Sequence, residues 1–193
     1  MSEAEKELFF PLFCKIESMA DKDSITFAID GGSGSGKTTL GKMLEQKYDC
    51  NIFHMDDFFL RPKQRTKERF LEAGGNVDRE RFLETVLLPL SKKETIDYVK
   101  FDCGTFTLLP AKKMTPKRIN IIEGSYSMHP DLAWAYDFGV FLEISSSLQE
   151  ERIRKRNSPE LAKRFFEEWI PMERKYHEEM KVKERCELKI FIG

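Results

Sequence analysis

Short apolar runs alternate with longer amphipathic segments along the chain. The runs have the length and continuous hydrophobicity of buried strands, at residues 24–30, 51–55, 119–122, 138–144 and 188–192. Helical periodicity covers residues 37–48, 79–90, 148–156 and 159–183. Because strands buried on both faces and separated by helices are typical of parallel sheets, the pattern predicts an α/β fold with helices on both faces of a parallel sheet.

Two segments add to this pattern. In residues 1–22, Leu8, Leu12 and Ile16 recur at helical spacing, which predicts an amphipathic N-terminal helix. Residues 95–102 alternate with period two and are followed by a possible return strand, so we expect a small β-hairpin insertion at 95–118. A length of 193 residues, of which 40% are hydrophobic, favours a single domain over residues 1–193.

Composition narrows the class of partner. The 32 basic and 33 acidic residues leave a net charge of −1, so bulk charge favours neither nucleic acid nor an anionic membrane. The N-terminal segment lacks a basic start, and its apolar stretch is too short for a signal peptide or a membrane span. The 4 cysteines are scattered without a C-x-x-C pair, as reduced thiols usually are. We expect a cytoplasmic protein without nucleic-acid or membrane partners, and leave a homo-oligomer open.

A glycine-rich loop follows the first predicted strand. The stretch 31-GGSGSGKT-38 matches G-x-x-x-x-G-K-[ST] between a strand and a helix, the context that a phosphate loop (P-loop) requires. Glycines let successive N–H groups point into one concavity, and the following helix adds a partial positive charge. Lys37 would reach the β- and γ-phosphates, and Thr38 would ligate Mg²⁺. The predicted nucleotide-binding residues are Gly31, Gly32, Ser33, Gly34, Ser35, Gly36, Lys37, Thr38 and Thr39.

Two acidic sites follow other predicted strands. Asp56 and Asp57 come directly after the strand at 51–55, and Glu123 ends the strand at 119–122. Ligands of parallel sheets bind beyond the carboxyl ends of the strands, so both sites are expected beside the loop. A carboxylate there can accept the proton of an attacking hydroxyl or organise Mg²⁺, and we assign the metal to Thr38 and Glu123. Solvated loop acids or a helix cap are the alternative for the aspartates, and a structural acid is the alternative for Glu123.

The loop, 54-HMDDFF-59, 121-IIEGSY-126 and a later arginine-rich helix together resemble the uridine kinase family. That family lies close to nicotinamide riboside kinase and phosphoribulokinase. The resemblance implies a P-loop NTPase-type fold, ATP with Mg²⁺, and phosphorylation of a hydroxyl on a nucleoside. It also makes Asp56 the base that accepts the proton of that hydroxyl.

The resemblance implies further acceptor contacts. Asp57 would lie beside the base, and Phe58 and Phe59 would line the pocket. Asp78 in 76-NVD-78 is the candidate for binding sugar hydroxyls, although it could equally cap the helix at 79–90. Phe101 and Asp102 occupy the place of a base-reading Tyr-Asp pair, so they are predicted to contact the acceptor.

The same stretch departs from the family. In 101-FDCGTF-106, Phe101 replaces the tyrosine and Phe106 stands where the family has a histidine. An aromatic wall without a hydrogen-bonding edge discriminates weakly, which argues against strict pyrimidine recognition.

A lid is predicted at residues 148–160. Arg152 and Arg156 are four residues apart, share one helix face and could neutralise charge on the transferring phosphoryl group. A solvated basic face is the alternative. The block at 165–180 has no mechanistic motif, and its large side chains are expected to pack or to wall the cleft.

The sequence therefore predicts a P-loop kinase that uses ATP and Mg²⁺ to phosphorylate a small nucleoside-like acceptor, with uridine first. The catalytic assignments are Lys37, Asp56, Arg152 and Arg156. Nicotinamide riboside, pantothenate or a phosphosugar are alternative acceptors. An ATP-binding regulatory protein without an acceptor is the alternative of a different class.

Overall fold

The central sheet is built from the apolar runs of the sequence. The computed structural model describes residues 3–193, and its strands are β1 Ile25–Gly31, β2 Cys50–His54, β3 Ile96–Tyr98, β4 Phe101–Asp102, β5 Thr107–Leu108, β6 Lys112–Met114, β7 Ile119–Glu123, β8 Phe138–Ile144 and β9 Leu188–Ile192. The main sheet has the order β2-β7-β1-β8-β9, and all its pairings are parallel. The predicted parallel α/β fold is therefore confirmed.

Helices cover this sheet and connect its strands. They are α1 Glu3–Leu8, α2 Phe10–Ser18, α3 Lys37–Lys47, α4 Lys67–Leu71, α5 Arg79–Phe82, α6 Leu88–Ser91, α7 Pro130–Ala133, α8 Ser146–Arg156, α9 Pro159–Arg164, α10 Ile170–Glu179 and α11 Val182–Arg185. A π-helical turn at Leu83–Leu87 joins α5 to α6, and another at Phe165–Trp169 joins α9 to α10. Each π-helical turn continues the helix on either side of it, so residues 79–91 and 159–179 each form one continuous helical segment.

Two helices that were predicted to be continuous are interrupted in the structure. The N-terminal helix breaks at Phe9 because Pro11 cannot donate a backbone hydrogen bond, and it ends at Ser18; residues 1 and 2 lie outside the described residues. The long C-terminal helix is interrupted at Lys181, whose φ of 48° is left-handed. Period alone did not reveal either break.

Apolar side chains fill both faces of the sheet. The alternation in β1 sends Phe27 and Ile29 to one face and Ala28 to the other. Helices α2 and α3 cover the first face with buried leucines and isoleucine, while α5, α6 and α10 cover the second. Each fully buried side chain of this size contributes about 1.5–3 kcal/mol relative to exposure. The two layers hold the carboxyl ends of the strands at one edge.

An antiparallel insertion lies between α6 and β7. Strand β3 pairs with β6, and β4 pairs with β5, so the segment forms a hairpin with an inner and an outer ladder. Its tip contains Phe106, whose φ of 57° is unusual for a residue with a side chain. The predicted hairpin is present, and it projects a strained aromatic residue from its tip.

The thiols of the chain are all free, with Cys50 and Cys186 buried and Cys14 and Cys103 exposed. Within residues 3–193, no helix has both the length and the apolar character needed to cross a bilayer.

A buried carboxylate joins β1 to α10. Asp30 accepts hydrogen bonds from the Gly31 amide at 2.6 Å, the Met128 amide at 2.9 Å and the Tyr176 hydroxyl at 2.8 Å, and it lies 3.4 Å from His177 Nε2. Burial raises the pKa of Asp30, but His177 and these donors outweigh it, so the pKa lies below its usual value. This ionised group fixes α10 against the start of the glycine loop.

We expect Tyr176→Phe to lower the free energy of unfolding by about 1–3 kcal/mol, because a buried carboxylate oxygen loses a donor. Tyr136→Phe is the matched control, since the Tyr136 hydroxyl is buried without a hydrogen-bond partner among the described residues. Urea unfolding of both variants measures the difference. Equal losses in the two variants would contradict the role given to Asp30.

Candidate active site

A cavity of about 1580 Å³ lies at the carboxyl ends of the central strands. Its walls include Ser33–Thr39 after β1, Asp56 after β2 and Glu123 at the end of β7. Side chains of α8, α9 and α10 close another side. Residues far apart in sequence thus meet where parallel sheets bind their ligands.

The glycine loop has the backbone that its motif predicts. Gly31 has a φ of 145°, and a Cβ there would lie 2.3 Å from the Leu142 carbonyl oxygen, so a larger residue cannot fit. Lys37 folds back over the loop and donates to the carbonyls of Gly31 at 2.8 Å and Gly32 at 3.1 Å. Among the predicted nucleotide-binding residues, those from Ser33 to Thr39 line the cavity, whereas Gly31 and Gly32 hold the lysine.

The predicted metal ligands are neighbours. Thr38 Oγ1 lies 3.2 Å from Glu123 Oε1, and His54 Nδ1 lies 2.5 Å from the same oxygen. The hydrogen bond to Glu123 raises the pKa of His54, against the opposing effect of its burial. Within residues 3–193, no cluster of three acidic, cysteine or histidine residues could hold a metal by itself. The hydroxyl and carboxylate nevertheless fit Mg²⁺, because this ion usually takes one or two carboxylates and completes its shell with phosphates and water.

Asp56 opens to the cavity from a short 3₁₀ turn, Met55–Phe58. Gly124 makes this placement possible, since its φ is 138° and a Cβ would lie 2.8 Å from Met55 Cβ. The Asp56 side chain is open to solvent in the cavity, yet the surrounding protein raises its pKa by desolvation; Lys37 lowers the pKa, while Glu123 and Glu173 raise it. A carboxylate with a raised pKa beside a phosphate loop has the properties of a general base.

The residues beside Asp56 turn away from the cavity. Phe58 is fully buried and packs against the rings of Phe82 and Tyr98. Asp57 accepts a hydrogen bond from the Tyr98 hydroxyl at 2.7 Å and pairs with Lys100 at 2.9 Å. Neither lines the cavity, because successive side chains of a tight turn point in different directions.

The other predicted acceptor residues also have structural partners. Asp78 caps α5, accepts from the Arg81 amide at 3.2 Å and pairs with Arg61 at 3.1 Å. Phe101 is buried, and Asp102 holds the hairpin turn by accepting from the Gly104 amide at 2.8 Å. Phe59, also predicted to line the pocket, does line the cavity, and Asn76, Cys103 and Phe106, which are close in sequence to the other predicted residues, line it with Phe59.

Both predicted lid arginines face the cavity. Arg152 Nη1 donates to the Gly34 carbonyl at 2.9 Å, and the Arg156 guanidinium lies 5.2 Å from the centroid of the Phe165 ring. Arg154 pairs instead with Glu150 at 2.8 Å, away from the cavity. Arg152 and Arg156 are four residues apart and so share the helix face towards the cavity, whereas Arg154 lies on another face.

Glu173 is a site residue that sequence reasoning missed. It is only 5% exposed, accepts from the Ser33 amide at 2.8 Å and the Ser33 hydroxyl at 2.6 Å, and lies 2.9 Å from the Ser125 hydroxyl. The signal was its register, because it lies three residues from Ile170 and Tyr176 on the buried face of α10. A charged residue at such a position needs partners, and here the phosphate loop supplies them.

The comparisons with known proteins agree with this geometry. No protein-family model matches the chain. A gluconokinase from Arabidopsis thaliana is 30% identical over 148 residues, which cover 74% of this chain and 74% of that protein. The chain belongs to the P-loop kinases of small molecules.

Two further matches are consistent with this family. A bifunctional α-galactosidase/sucrose kinase from Mediterraneibacter gnavus is 28% identical over 176 residues, covering 78% of this chain but 19% of that much longer protein. A solved structure described as a possible uridine kinase from Bacillus stearothermophilus has a TM-score of 0.71 at 22% identity, covering 98% of this chain and 100% of that one. The uridine-kinase-like P-loop fold predicted from the motifs is therefore confirmed.

We expect Glu173→Gln to shift the acid limb of the kcat/KM profile of this kinase to lower pH. As the predicted base, Asp56 has to be ionised to accept a proton, so activity is expected to fall as the pH drops through its raised pKa. Removing the negative charge of Glu173 removes one cause of that raised value, which extends activity to lower pH. Glu178→Gln, on the exposed side of the same helix, should leave the limb in place. An unshifted limb in Glu173→Gln would separate Glu173 from the titrating base.

Proposed function

We propose that this kinase transfers the γ-phosphoryl group of ATP to a hydroxyl of a small, sugar-bearing acceptor. The observation that carries the proposal is one shared cavity, lined by Lys37 of the phosphate loop and by Asp56 after β2. A phosphate loop alone would serve a switch equally well. A carboxylate with a raised pKa beside it is what transfer to a hydroxyl requires in addition.

Each part has a defined task in this reaction. The loop amides and Lys37 hold the phosphates, and Asp56 takes the proton as the acceptor oxygen attacks the γ-phosphorus in line with the leaving ADP oxygen. Arg152 and Arg156 stabilise the charge of the transferring group. Thr38 and Glu123 would hold Mg²⁺, which neutralises phosphate charge when it is bound.

The acceptor is proposed at the level of its class. The relatives are named as a gluconokinase and a sucrose kinase, and the similar structure as a possible uridine kinase. Uridine is therefore tested first among nucleosides, beside nicotinamide riboside, pantothenate and phosphosugars. Phe106 in the cavity wall offers no hydrogen-bonding edge, which lowers the expected selectivity for a pyrimidine.

We expect ADP release that depends on one class of acceptor when the protein is screened with ATP against nucleosides, sugars, sugar acids and vitamins. A coupled ADP assay measures the rate, and mass spectrometry identifies the phosphorylated product. Slow hydrolysis of ATP that no acceptor accelerates would support an ATP-binding regulatory protein and contradict the proposed kinase activity.

We expect Asp56→Asn to lower kcat by roughly 10²–10⁴-fold, the usual contribution of a general base, with little change in the KM for ATP. The substitution keeps the shape of the side chain but removes the proton acceptor. Asp97→Asn is the control, because Asp97 is the exposed residue of β3 and pairs only with Lys113, at 2.8 Å, among the described residues. Near-normal turnover of Asp56→Asn would remove Asp56 from the mechanism.

A further inference from the structure

An arginine without an acidic partner lines the active-site cavity. Arg65 lies between Pro62–Gln64 and α4, and its Nε donates to the Leu60 carbonyl at 3.0 Å. Its guanidinium lies 5.0 Å from the centroid of the Phe106 ring. Its two terminal nitrogens have no hydrogen-bond or ion-pair partner within residues 3–193. The Leu60 carbonyl and the Phe106 ring hold the Arg65 side chain in place, and its two terminal nitrogens remain available to a ligand.

The neighbouring arginines differ from it. Each is paired with a carboxylate: Arg61 with Asp78 at 3.1 Å, Arg69 with Glu80 at 2.7 Å, Arg79 with Asp131 at 2.9 Å and Arg81 with Asp78 at 3.4 Å. Each of these four guanidiniums therefore has a carboxylate partner within the protein, and Arg61 and Arg81 share Asp78. Arg65 is the exception, and it is the one that lines the cavity.

The Phe106 ring beside Arg65 is held by a strained backbone conformation. Phe106 has a φ of 57°, a conformation that residues with a Cβ adopt rarely and with strain. It is 48% exposed, so burial of the ring does not explain the strain. The position instead gives the guanidinium a flat aromatic platform, on which arginine stacks while keeping its nitrogens available.

Arg65 and the proposed base act on the same part of the cavity. Burial raises the pKa of the Cys103 thiol, Arg65 lowers it, and Asp102 and Asp56 raise it, so Arg65 and Asp56 both lie within electrostatic reach of this thiol. Cys103 itself lines the cavity. Asp56, Cys103 and Arg65 all line one cavity, so an acceptor bound at Asp56 shares that cavity with the Arg65 guanidinium.

We propose that Arg65 binds an anionic group of the acceptor, so that the substrate is a polyhydroxy compound carrying a carboxylate or a phosphate remote from the phosphorylated hydroxyl. The inference rests on the proposed kinase function and narrows its acceptor class. The open fork of a guanidinium matches both groups, since each offers two oxygens at the spacing of its nitrogens. A neutral nucleoside or polyol offers no charge to it.

The test compares acceptors that differ in this group. D-Glucitol, D-gluconate and D-glucitol 6-phosphate share an open six-carbon chain and end in a hydroxymethyl, a carboxylate and a phosphate, respectively. The same comparison is made with four- and five-carbon alditols and their acids and phosphates, and uridine is included. We expect kcat/KM for one anionic series to exceed that of its neutral counterparts by about 100-fold, and the preferred series tells carboxylate from phosphate.

Substitution assigns the preference to Arg65. We expect Arg65→Gln to raise the KM for the anionic acceptor by about 10–100-fold while leaving the KM for ATP unchanged, and Arg65→Lys to fall between the two. Lys63→Gln removes the same charge two residues away, outside the cavity, and should have no effect. Circular dichroism and thermal unfolding show that the variants are folded.

Two results would overturn the inference and leave the kinase function intact. One is turnover of uridine or neutral polyols as efficient as that of the anionic compounds. The other is a higher KM for ATP, rather than for the acceptor, in Arg65→Gln. Absence of acceptor-dependent ADP release across the whole panel would overturn the proposed function together with the inference.

Discussion

One buried carboxylate, Asp30, sets the geometry on which the site depends. Removing such a charge from water is costly unless donors replace the lost hydration. Here the amide of Gly31, the amide of Met128 and the hydroxyl of Tyr176 supply them. Since the first of these belongs to the phosphate loop and the last to α10, solvating Asp30 inside the protein also fixes the loop against that helix.

Fixing α10 at Asp30 also positions a second acidic residue at the centre of the phosphate loop. Glu173 lies one helical turn before Tyr176, so the helix that is fixed at Asp30 also brings a second carboxylate to Ser33. With Asp56 and Glu123, this makes three acids around the loop, and their mutual repulsion contributes to the raised pKa of Asp56. Lys37 opposes them from its position on the loop carbonyls, and incoming phosphates compete for the same ammonium group.

The sequence was sufficient to predict the sheet and to place the glycine loop and the strand-end acids at one cavity, because both depend on local patterns. A phosphate loop is recognised through backbone amides, whose conformation is visible as glycine spacing, and strand-end acids follow from the order of apolar runs. The acceptor half depends on which way each side chain turns. Phe58 and Asp78 are directed into core and cap contacts by a 3₁₀ turn and a helix start, and their neighbours line the cavity. Glu173 could not be located because its partner Ser33 is 140 residues away in sequence.

The two halves therefore follow different physical rules. Phosphate binding by amides requires one short segment, so the motif can persist whatever surrounds it. Acceptor binding requires side chains from segments that no spacing connects, here the loop before α4 and the tip of the hairpin. The Arg65 guanidinium lies over a strained ring and forms no ion pair with a carboxylate within residues 3–193. Since the other arginines of residues 61–81 each pair with a carboxylate of the protein, the complement of the Arg65 charge is expected on the molecule that enters the cavity.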